Sequence, residues 1–222
     1  EKNLKFYSND EAAKTTPTRL KYLREQVERL MQIPQPVQRS KEWYEFRNSM
    51  LTASDWATIL GMNPYSNSNN ILLKKCGKDV PFPSNPTIDW GIKYEDVAIK
   101  IYELRNSVEI IEFGCIGHPN ISFLGASPDG ISKDGVMLEI KCPSKREITG
   151  VIPKYYYCQV QGQLEVCELD RCDFLECNDV NNIDVIIMNP PYNSGGTKCN
   201  GQKNLYVNFA FKAMEILKPN GY

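Results

Sequence analysis

The spacing of apolar residues changes near residue 107, and this change restricts the fold more than any other feature of the sequence. Before it, apolar side chains recur every three to four residues, as in a helix; Leu23, Val27 and Leu30 in residues 17–32 are one example. After it, short β-rich segments are separated by Gly, Pro and Asp. Helices are predicted at residues 17–32, 41–50, 52–62, 70–75, 88–104 and 154–168, and strands at 107–113, 121–126, 136–142 and 172–177. The sequence therefore predicts an α/β fold with helices before and after a run of strands.

The composition excludes several classes of protein. The 222 residues carry a net charge of −1, so a nucleic-acid partner would have to be bound by a local basic patch. No run of about 18 apolar residues is present, and the first residues lack the apolar stretch of a secretion signal. We therefore expect a soluble, intracellular protein that does not enter a membrane.

Eight cysteines and one histidine limit the metal chemistry. In an intracellular chain the cysteines are expected to stay reduced and mostly buried. Cys167, Cys172 and Cys177 leave an iron–sulfur site as an alternative, although no Cys-x-x-Cys pair occurs and residues 172–177 alternate as in a strand. His118 lies between Gly and Pro and is expected in a turn, so a site built on several histidines is excluded.

Two carboxylates and a lysine are predicted to meet. Glu139 and Lys141 lie two residues apart in a strand segment, so their side chains share one face while Leu138 and Ile140 face the core. Asp129 lies in a Ser-Pro-Asp-Gly turn, which can direct its carboxylate towards the neighbouring strand. On spacing alone, a surface turn beside an ordinary Glu/Lys pair is an equal alternative.

This group has a definite chemical use. Mg²⁺ prefers oxygen ligands, keeps several of its waters and can hold a phosphate oxygen. Asp129 and Glu139 would supply ligands, and Lys141 would position or deprotonate the attacking water, aided by a pKa lowered by burial near a cation. The three residues therefore indicate metal-dependent hydrolysis at a phosphate.

The segment that contains them, GASPDGISKDGVMLEIKCP, resembles the PD-(D/E)xK motif of the lambda-exonuclease, or YqaJ-like viral recombinase, family. Three other segments agree in order. Residues 42–55 resemble the family's N-terminal helix pair, residues 90–98 its acidic helix and residues 155–166 its glutamine helix, and the resemblance covers about residues 38–178. It implies a restriction-endonuclease-like core with a central mixed β-sheet flanked by helices, preceded by an N-terminal helical segment.

The resemblance also implies a role for each of a larger set of residues. The implied catalytic residues are Asp129, Glu139, Lys141, Glu95 and either Gln159 or Gln161, and the implied metal ligands are Asp129, Glu139, Glu95 and the backbone carbonyl of Ile140.

A DNA end is the ligand that the resemblance implies. Arg47 and Ser54 would bind the 5′-terminal phosphate through a guanidinium and a hydroxyl, and Ser127 would line the same cleft. Although the net charge does not indicate a DNA-binding protein, a local group of basic side chains would form the DNA groove: Lys93, Lys145 and Arg146.

Residues 183–192 (IDVIIMNPPY) resemble the catalytic motif of amino-group DNA methyltransferases. Asn189 and Pro190 can accept hydrogen bonds from an exocyclic amine, and Tyr192 can stack on a flipped base. No Gly-x-Gly turn occurs in the chain, so no S-adenosylmethionine site is expected in this fragment. The predicted organisation is a helical extension at residues 1–36, an exonuclease domain at 37–179 and a methyltransferase-like fragment at 180–222.

The expected function is that of a Mg²⁺-dependent exonuclease, with Mn²⁺ as a substitute, that acts 5′-to-3′ on linear double-stranded DNA in viral or phage recombination or repair. The resemblance implies three partners: double-stranded DNA ends, a single-strand annealing protein and, in a homotrimer, other copies of the chain. The expected location is the cytoplasm of an infected host or of a bacterium. Two alternatives stay open: a restriction-type endonuclease fused to a truncated adenine methyltransferase, and a catalytically inactive DNA-binding module.

Overall fold

The computed structural model describes residues 16–78, 86–144, 148 and 151–177, which excludes the methyltransferase-like segment at residues 180–222. The helices are α1 (Pro17–Gln32), α2 (Lys41–Asn48), α3 (Ala53–Ile59), α4 (Ser68–Lys75), α5 (Pro86–Asn106) and α6 (Lys154–Cys167). The strands are β1 (Leu51–Thr52), β2 (Ile110–Ile111), β3 (Ile116–Gly117), β4 (Leu124–Ala126), β5 (Gly130–Ser132), β6 (Val136–Lys141) and β7 (Arg171–Glu176). Within the described ranges, no helix has the length and apolar content needed to cross a membrane.

The predicted order of helices and strands is confirmed, with differences in the shorter strands. The sequence pattern did not reveal β1, β3 or β5, because a strand of two or three residues is too short to display an alternating period. The predicted strands at residues 107–113 and 121–126 are reduced to the two residues of β2 and the three residues of β4.

Capping side chains determine where three helices begin. The hydroxyls of Thr16 and Ser40 each accept a hydrogen bond from a backbone N–H three residues further on, at the start of α1 and α2. At the start of α3, the Asp55 carboxylate accepts from both the backbone N–H and the hydroxyl of Thr52, each at 3.0 Å. Thr52 is therefore the N-cap residue of α3.

The strands form two sheets. In the smaller sheet, of order β1-β4-β3, β1 is parallel and β3 antiparallel to the central β4. The larger sheet has the order β2-β5-β6-β7. The β2–β5 and β5–β6 pairs are antiparallel, and β7 is parallel to β6. A parallel neighbour requires a crossover connection, and α6 provides it between β6 and β7.

Two apolar clusters share the side chains of β6. Met137 belongs to a cluster that contains Val160 and Leu164 of α6. Leu138 and Ile140 belong to a second cluster, which contains residues of α5. The prediction that these two side chains face the core is therefore confirmed, and the alternation leaves Glu139 on the face of β6 that looks towards α6.

Helix α1 packs into the same core as the rest of the described chain. Leu23, Val27 and Leu30 are buried in the cluster that also holds α6, as the helical spacing predicts. The Gln26 amide, also buried, donates a hydrogen bond of 2.9 Å to the backbone carbonyl of Cys167 at the end of α6. The apolar stripe of α1 is thus covered by this domain.

A glycine allows α3 and α6 to lie close together. A Cβ atom on Gly162 of α6 would lie 2.9 Å from the Trp56 ring and 3.1 Å from Ala53 Cβ, both on α3. Contacts this short require a neighbouring group to move, and an indole ring in a packed interface moves less easily than a flexible side chain.

We predict that Gly162→Ala destabilises the protein by about 1–3 kcal/mol because it overpacks this interface, despite the higher helix propensity of alanine. The matched control is Gly91→Ala in α5, where a Cβ would have nothing within 4 Å. That variant should be neutral or more stable by up to about 1 kcal/mol. Thermal or urea unfolding measures both changes, and equal effects of the two substitutions would contradict the packing argument.

Candidate active site

Glu139 is a carboxylate buried at the centre of the larger sheet. Its residue is 1% exposed, and it lies on β6 between two strands, β5 and β7. The Lys141 ammonium, on the same face of β6, donates a hydrogen bond to Glu139 Oε1. The predicted pairing of these two side chains on one face of a strand is confirmed.

Asp129 reaches the same site from the neighbouring strand. It directly precedes β5, and because Gly130 is paired with Leu138, residue 129 lies opposite Glu139. Asp129 Oδ2 accepts a hydrogen bond of 2.6 Å from the backbone N–H of Ile140. The turn and the strand register thus bring together the three residues that the sequence singled out.

The glycine of the Ser-Pro-Asp-Gly turn is required by close packing. A Cβ on Gly130 would lie 2.2 Å from Ile110 Cγ2 and 3.3 Å from the carbonyl oxygen of Ile111. Both atoms belong to β2, which is paired with β5. Any other residue would push β5, and with it Asp129, away from its position.

The charges of the site act strongly on each other. Burial raises the pKa of the Asp129 carboxyl well above its ordinary value, and the negative charge of Glu139 raises it further. Burial alone would lower the pKa of Lys141, but the charges of Glu139 and Asp129 outweigh it, so the pKa of the lysine is raised. The expectation of a lowered Lys141 pKa was for a lysine beside a bound cation and stays a prediction; without a cation, the two carboxylates stabilise the ammonium.

Two glutamines on α6 complete the shell around Glu139. Gln159 Nε2 donates to Glu139 Oε1 at 2.6 Å, and Gln163 Nε2 donates to Glu139 Oε2 at 2.7 Å. Residues four apart share one face of a helix, whereas Gln161 lies about 200° around the helix from Gln159. Of the two glutamines left open, the structure thus brings Gln159 and not Gln161 to Glu139. Sequence reasoning missed Gln163, although its i+4 spacing from Gln159 was the available signal.

Glu95 lies at the edge of this site and is paired with an arginine. Its carboxylate, on α5, accepts a hydrogen bond of 2.9 Å from Arg39 Nη2. Burial raises the pKa of Glu95, while the charges of Arg39 and Lys141 oppose that rise. Arg39 has a left-handed backbone with φ of 63°, an uncommon conformation for a residue with a side chain. No sequence pattern pointed to Arg39.

The donor set at the centre suits a hard cation that keeps most of its waters. Among the described residues, no three His, Cys, Asp or Glu side chains are grouped so as to enclose a metal ion. Asp129 and Glu139 nevertheless bring two carboxylates together, and Mg²⁺ is often bound through one or two carboxylates with water and phosphate oxygens as the other ligands. The residues fit such an ion, while ligation by Glu95 and by the Ile140 carbonyl stays a prediction.

The residues predicted to bind a terminal phosphate form a second group. Arg47 Nη2 lies 3.2 Å from Ser54 Oγ, and the Arg47 guanidinium stacks 4.4 Å above the Trp43 ring. Ser127 is half-buried beside the thiol of Cys115. The structure therefore brings Arg47 and Ser54 into contact, and the stacked ring holds the plane of the guanidinium.

Lys75 supports this group and was not predicted. Its ammonium donates to the backbone carbonyl oxygen of Arg47 at 2.8 Å and forms an ion pair with Asp55 at 3.2 Å. Burial lowers the pKa of Lys75, and the charge of Asp55 opposes that change. A lysine on a weakly amphipathic helix gives no sequence signal of such a contact.

The predicted DNA groove is only partly within the described residues. Lys93 is exposed on α5, with its ammonium 5.4 Å from the ring of Tyr94. Lys145 and Arg146 lie outside the described residues.

Comparison with curated proteins finds relatives in two viruses. The uncharacterized protein R354 of Acanthamoeba polyphaga mimivirus is 40% identical over 166 residues, which cover 67% of this chain and 30% of that protein. Protein D345L of African swine fever virus (strain Badajoz 1971 Vero-adapted) is 27% identical over 164 residues, which cover 58% of this chain and 46% of that protein. The chain therefore spans less than half the length of either relative.

Comparison with solved structures finds an alkaline exonuclease, LHK-Exo from Laribacter hongkongensis. The match has 29% sequence identity and a TM-score of 0.54, and it covers 63% of this chain and 75% of that chain. LHK-Exo in complex with dAMP matches with a TM-score of 0.55 at the same identity. This similarity confirms the predicted restriction-endonuclease-like fold class.

A family model for the YqaJ-like viral recombinase domain matches residues 42–170. This segment includes Asp129, Glu139 and Lys141, both glutamines that bind Glu139, and the Arg47–Ser54 pair. Because the match covers more than half of the sequence, the chain belongs to the family of YqaJ-like viral recombinase domains.

Proposed function

We propose that this protein is a metal-dependent deoxyribonuclease that removes nucleotides from the 5′ ends of linear double-stranded DNA. The observation that carries the proposal is the buried cluster of Asp129, Glu139 and Lys141, held by hydrogen bonds from Gln159 and Gln163. The structural similarity to an alkaline exonuclease at 29% identity supports the choice of an exonuclease.

The cluster suits phosphodiester hydrolysis. Mg²⁺, or Mn²⁺ in its place, would lower the pKa of a bound water and neutralise charge that develops on the phosphate. Asp129 and Glu139 would hold the cation, with the Ile140 carbonyl and Glu95 as further proposed ligands. The two glutamine amides fix the rotation of the Glu139 carboxylate, because each donates to a different oxygen.

Lys141 would act in its protonated form. Without a cation, the charges of Glu139 and Asp129 raise the pKa of Lys141 and favour the ammonium form, which donates hydrogen bonds. We therefore assign it to positioning the attacking water and to stabilising negative charge on the phosphate. Of the two roles that the sequence left open for Lys141, this favours positioning over deprotonation.

The Arg47 group would bind the terminal 5′-phosphate. The guanidinium fixed on Trp43 can present two parallel donors to a phosphate, with the Ser54 hydroxyl beside it. Lys75 adds a second positive charge next to the Arg47 backbone. A site that requires a terminal phosphate explains action from DNA ends rather than within a duplex.

The biological setting is part of the same proposal. The relatives in mimivirus and African swine fever virus favour the cytoplasm of an infected host cell over that of a bacterium. A 5′-to-3′ exonuclease leaves a 3′ single strand, so a single-strand annealing protein is the partner that we propose, with a homotrimer as the proposed assembly. The methyltransferase-like motif at residues 183–192 fits the fusion, but the chain has no Gly-x-Gly turn for the cofactor, and the intact Asp129, Glu139 and Lys141 argue against the inactive module.

The test uses Mg²⁺ and three substrates: a linear duplex with 5′-phosphate ends, the same duplex with 5′-hydroxyl ends, and a closed circle. We expect progressive loss of the phosphorylated duplex, slower loss of the hydroxyl duplex and an intact circle. Lys141→Ala should reduce the rate at least about 100-fold, whereas Lys133→Ala, at an exposed ion pair with Glu109, should not. Cutting of the circle, or no cleavage by the wild type, would reject the proposal.

A second prediction concerns the preference for a 5′-phosphate. Arg47→Ala should remove a charge-assisted contact of about 1.5–3 kcal/mol, which raises KM for phosphorylated ends roughly 10- to 100-fold. It should change KM little for hydroxyl ends, so the ratio of the two rates approaches one. Arg24→Ala, at the exposed Arg24–Asp134 ion pair on α1, is the matched control. If the preference survives in Arg47→Ala, the terminal phosphate is bound elsewhere.

A third prediction concerns Arg39. Arg39→Gly should leave stability unchanged or higher, because glycine adopts the left-handed backbone without the strain of about 1–2 kcal/mol. Its activity should fall about 10- to 100-fold, because Glu95 loses the partner that orients it. Arg39→Lys keeps the charge and the strain and should retain more activity. Unfolding curves and kcat together check the prediction, and full activity of Arg39→Gly would show that the ion pair has no catalytic use.

A further inference from the structure

Three tyrosine rings follow one another from the catalytic lysine to the surface, and we call Tyr65, Tyr155 and Tyr156 the tyrosine row. The Lys141 ammonium lies 5.2 Å from the centre of the Tyr156 ring. The Tyr155 and Tyr156 ring centres are 4.4 Å apart, and those of Tyr155 and Tyr65 are 5.9 Å apart with the planes at 84°. The outermost residue, Tyr65, is 78% exposed.

The row is held in place by its surroundings. Asn63, in the loop after α3, accepts a hydrogen bond from Tyr65 N at 2.9 Å and donates one to the Thr58 hydroxyl at 2.8 Å. Nearby, the Cys158 thiol of α6 contacts the Met62 sulfur at 3.3 Å. The exposed ring is therefore presented by an anchored loop.

The tyrosines differ in how much they contribute to the packing of the core. Tyr156 packs against the apolar cluster and lies 5.7 Å from the buried ring of Phe174, so burial accounts for its presence. Tyr65 is more exposed than every other aromatic residue described, and it contributes little to the core. A large aromatic ring that is mostly exposed and continuous with a catalytic site has the properties of a ligand contact.

Two residues of the row lie on the N-terminal half of α6, beside the glutamines that bind Glu139. Ala53 and Trp56 of α3 face Gly162, whereas Met62, after the end of α3, contacts Cys158, so the two segments run antiparallel. Ala53 and Trp56 therefore lie beside the middle of α6, and Tyr155 and Tyr156 lie in its first turn, one turn before Gln159, which binds Glu139. Eight residues separate Gln163 from Tyr155, about 12 Å of helix or three to four stacked nucleotides at about 3.4 Å each.

We propose that the tyrosine row is a binding site for nucleobases of the DNA substrate, with Tyr65 stacking on a base. The proposal rests on the nuclease function above and adds to it a site for the part of the strand that continues beyond the cleaved bond. Every base has a flat π face, so stacking on tyrosine accepts any sequence, as a progressive exonuclease requires. Hydrogen bonds to base edges would instead favour particular sequences.

A protein surface is the competing occupant. Exposed apolar side chains lie nearby, among them Leu60 and Met62 after α3. The tyrosine row, by contrast, begins with Tyr156 beside Lys141 and continues ring by ring to Tyr65, and this continuity with the catalytic lysine favours DNA.

The experiment measures DNA binding without hydrolysis, by the full chain in EDTA. The probe is a 5′-phosphorylated duplex with 2-aminopurine at one of the first six nucleotides of the phosphorylated strand, whose fluorescence changes when a base unstacks or stacks on a ring. Wild type and Tyr65→Phe, which keeps the ring, should give the same change at the same positions. Tyr65→Ala should lose that change and weaken binding about five- to a hundredfold. Tyr22→Ala, on α1, is the control and should behave as wild type.

Two results would overturn the proposal. In the first, Tyr65→Ala binds every labelled duplex as tightly as wild type and gives the same fluorescence changes. In the second, DNA binding is unaltered while light scattering shows that Tyr65→Ala changes the oligomeric state, which would assign the ring to a protein contact. Because binding is measured in EDTA, a chain that stacks on DNA but never cleaves it would reject the proposed nuclease and leave the tyrosine row supported.

Discussion

The buried charge of Glu139 is the constraint on which the described structure depends. An ionised carboxylate taken out of water costs several kcal/mol unless charges and hydrogen bonds replace the lost hydration. Lys141 supplies the charge from the same strand, and two amides of α6 supply hydrogen bonds. The orientation of α6 and the alternation of β6 are thus both needed to keep one carboxylate in the sheet, and a cation would be bound at that same carboxylate.

Two glycines, which have no side chain, help to bring the functional groups together because they let neighbouring elements pack closely. Gly130 lets β2 lie against β5, and this contact fixes the turn that carries Asp129. Gly162 lets α3 lie against α6, so that the hydroxyl of Ser54 and the amide of Gln163 come from helices in close contact. The close contacts at Gly130 and Gly162 therefore help to set the distance between the Asp129–Glu139–Lys141 cluster and the Arg47–Ser54 pair.

The sequence predicted the parts of the site that follow a local period. The strand spacing of Glu139 and Lys141 and the turn that carries Asp129 made these three residues candidates, and the family resemblance decided between them and an ordinary surface turn. Arg39 and Lys75 were missed, because each acts on a residue distant in the chain. The direction of the Lys141 pKa shift in the metal-free site was not foreseen for a related reason. Burial lowers the pKa of a lysine and nearby carboxylates raise it. Which effect is larger depends on the distances between the groups, and these cannot be read from the sequence.

The packing of α1 has a consequence for where the unit that folds begins. The segment shared with the family begins at residue 42, after the helix whose Leu23, Val27 and Leu30 belong to the core. Exposing three such side chains costs roughly 5–9 kcal/mol, at about 1.5–3 kcal/mol each, which is comparable with the whole stability of an ordinary domain. A segment that began at residue 42 would lack these contacts and would be much less stable, so α1 belongs to the unit that folds although the family match begins after it.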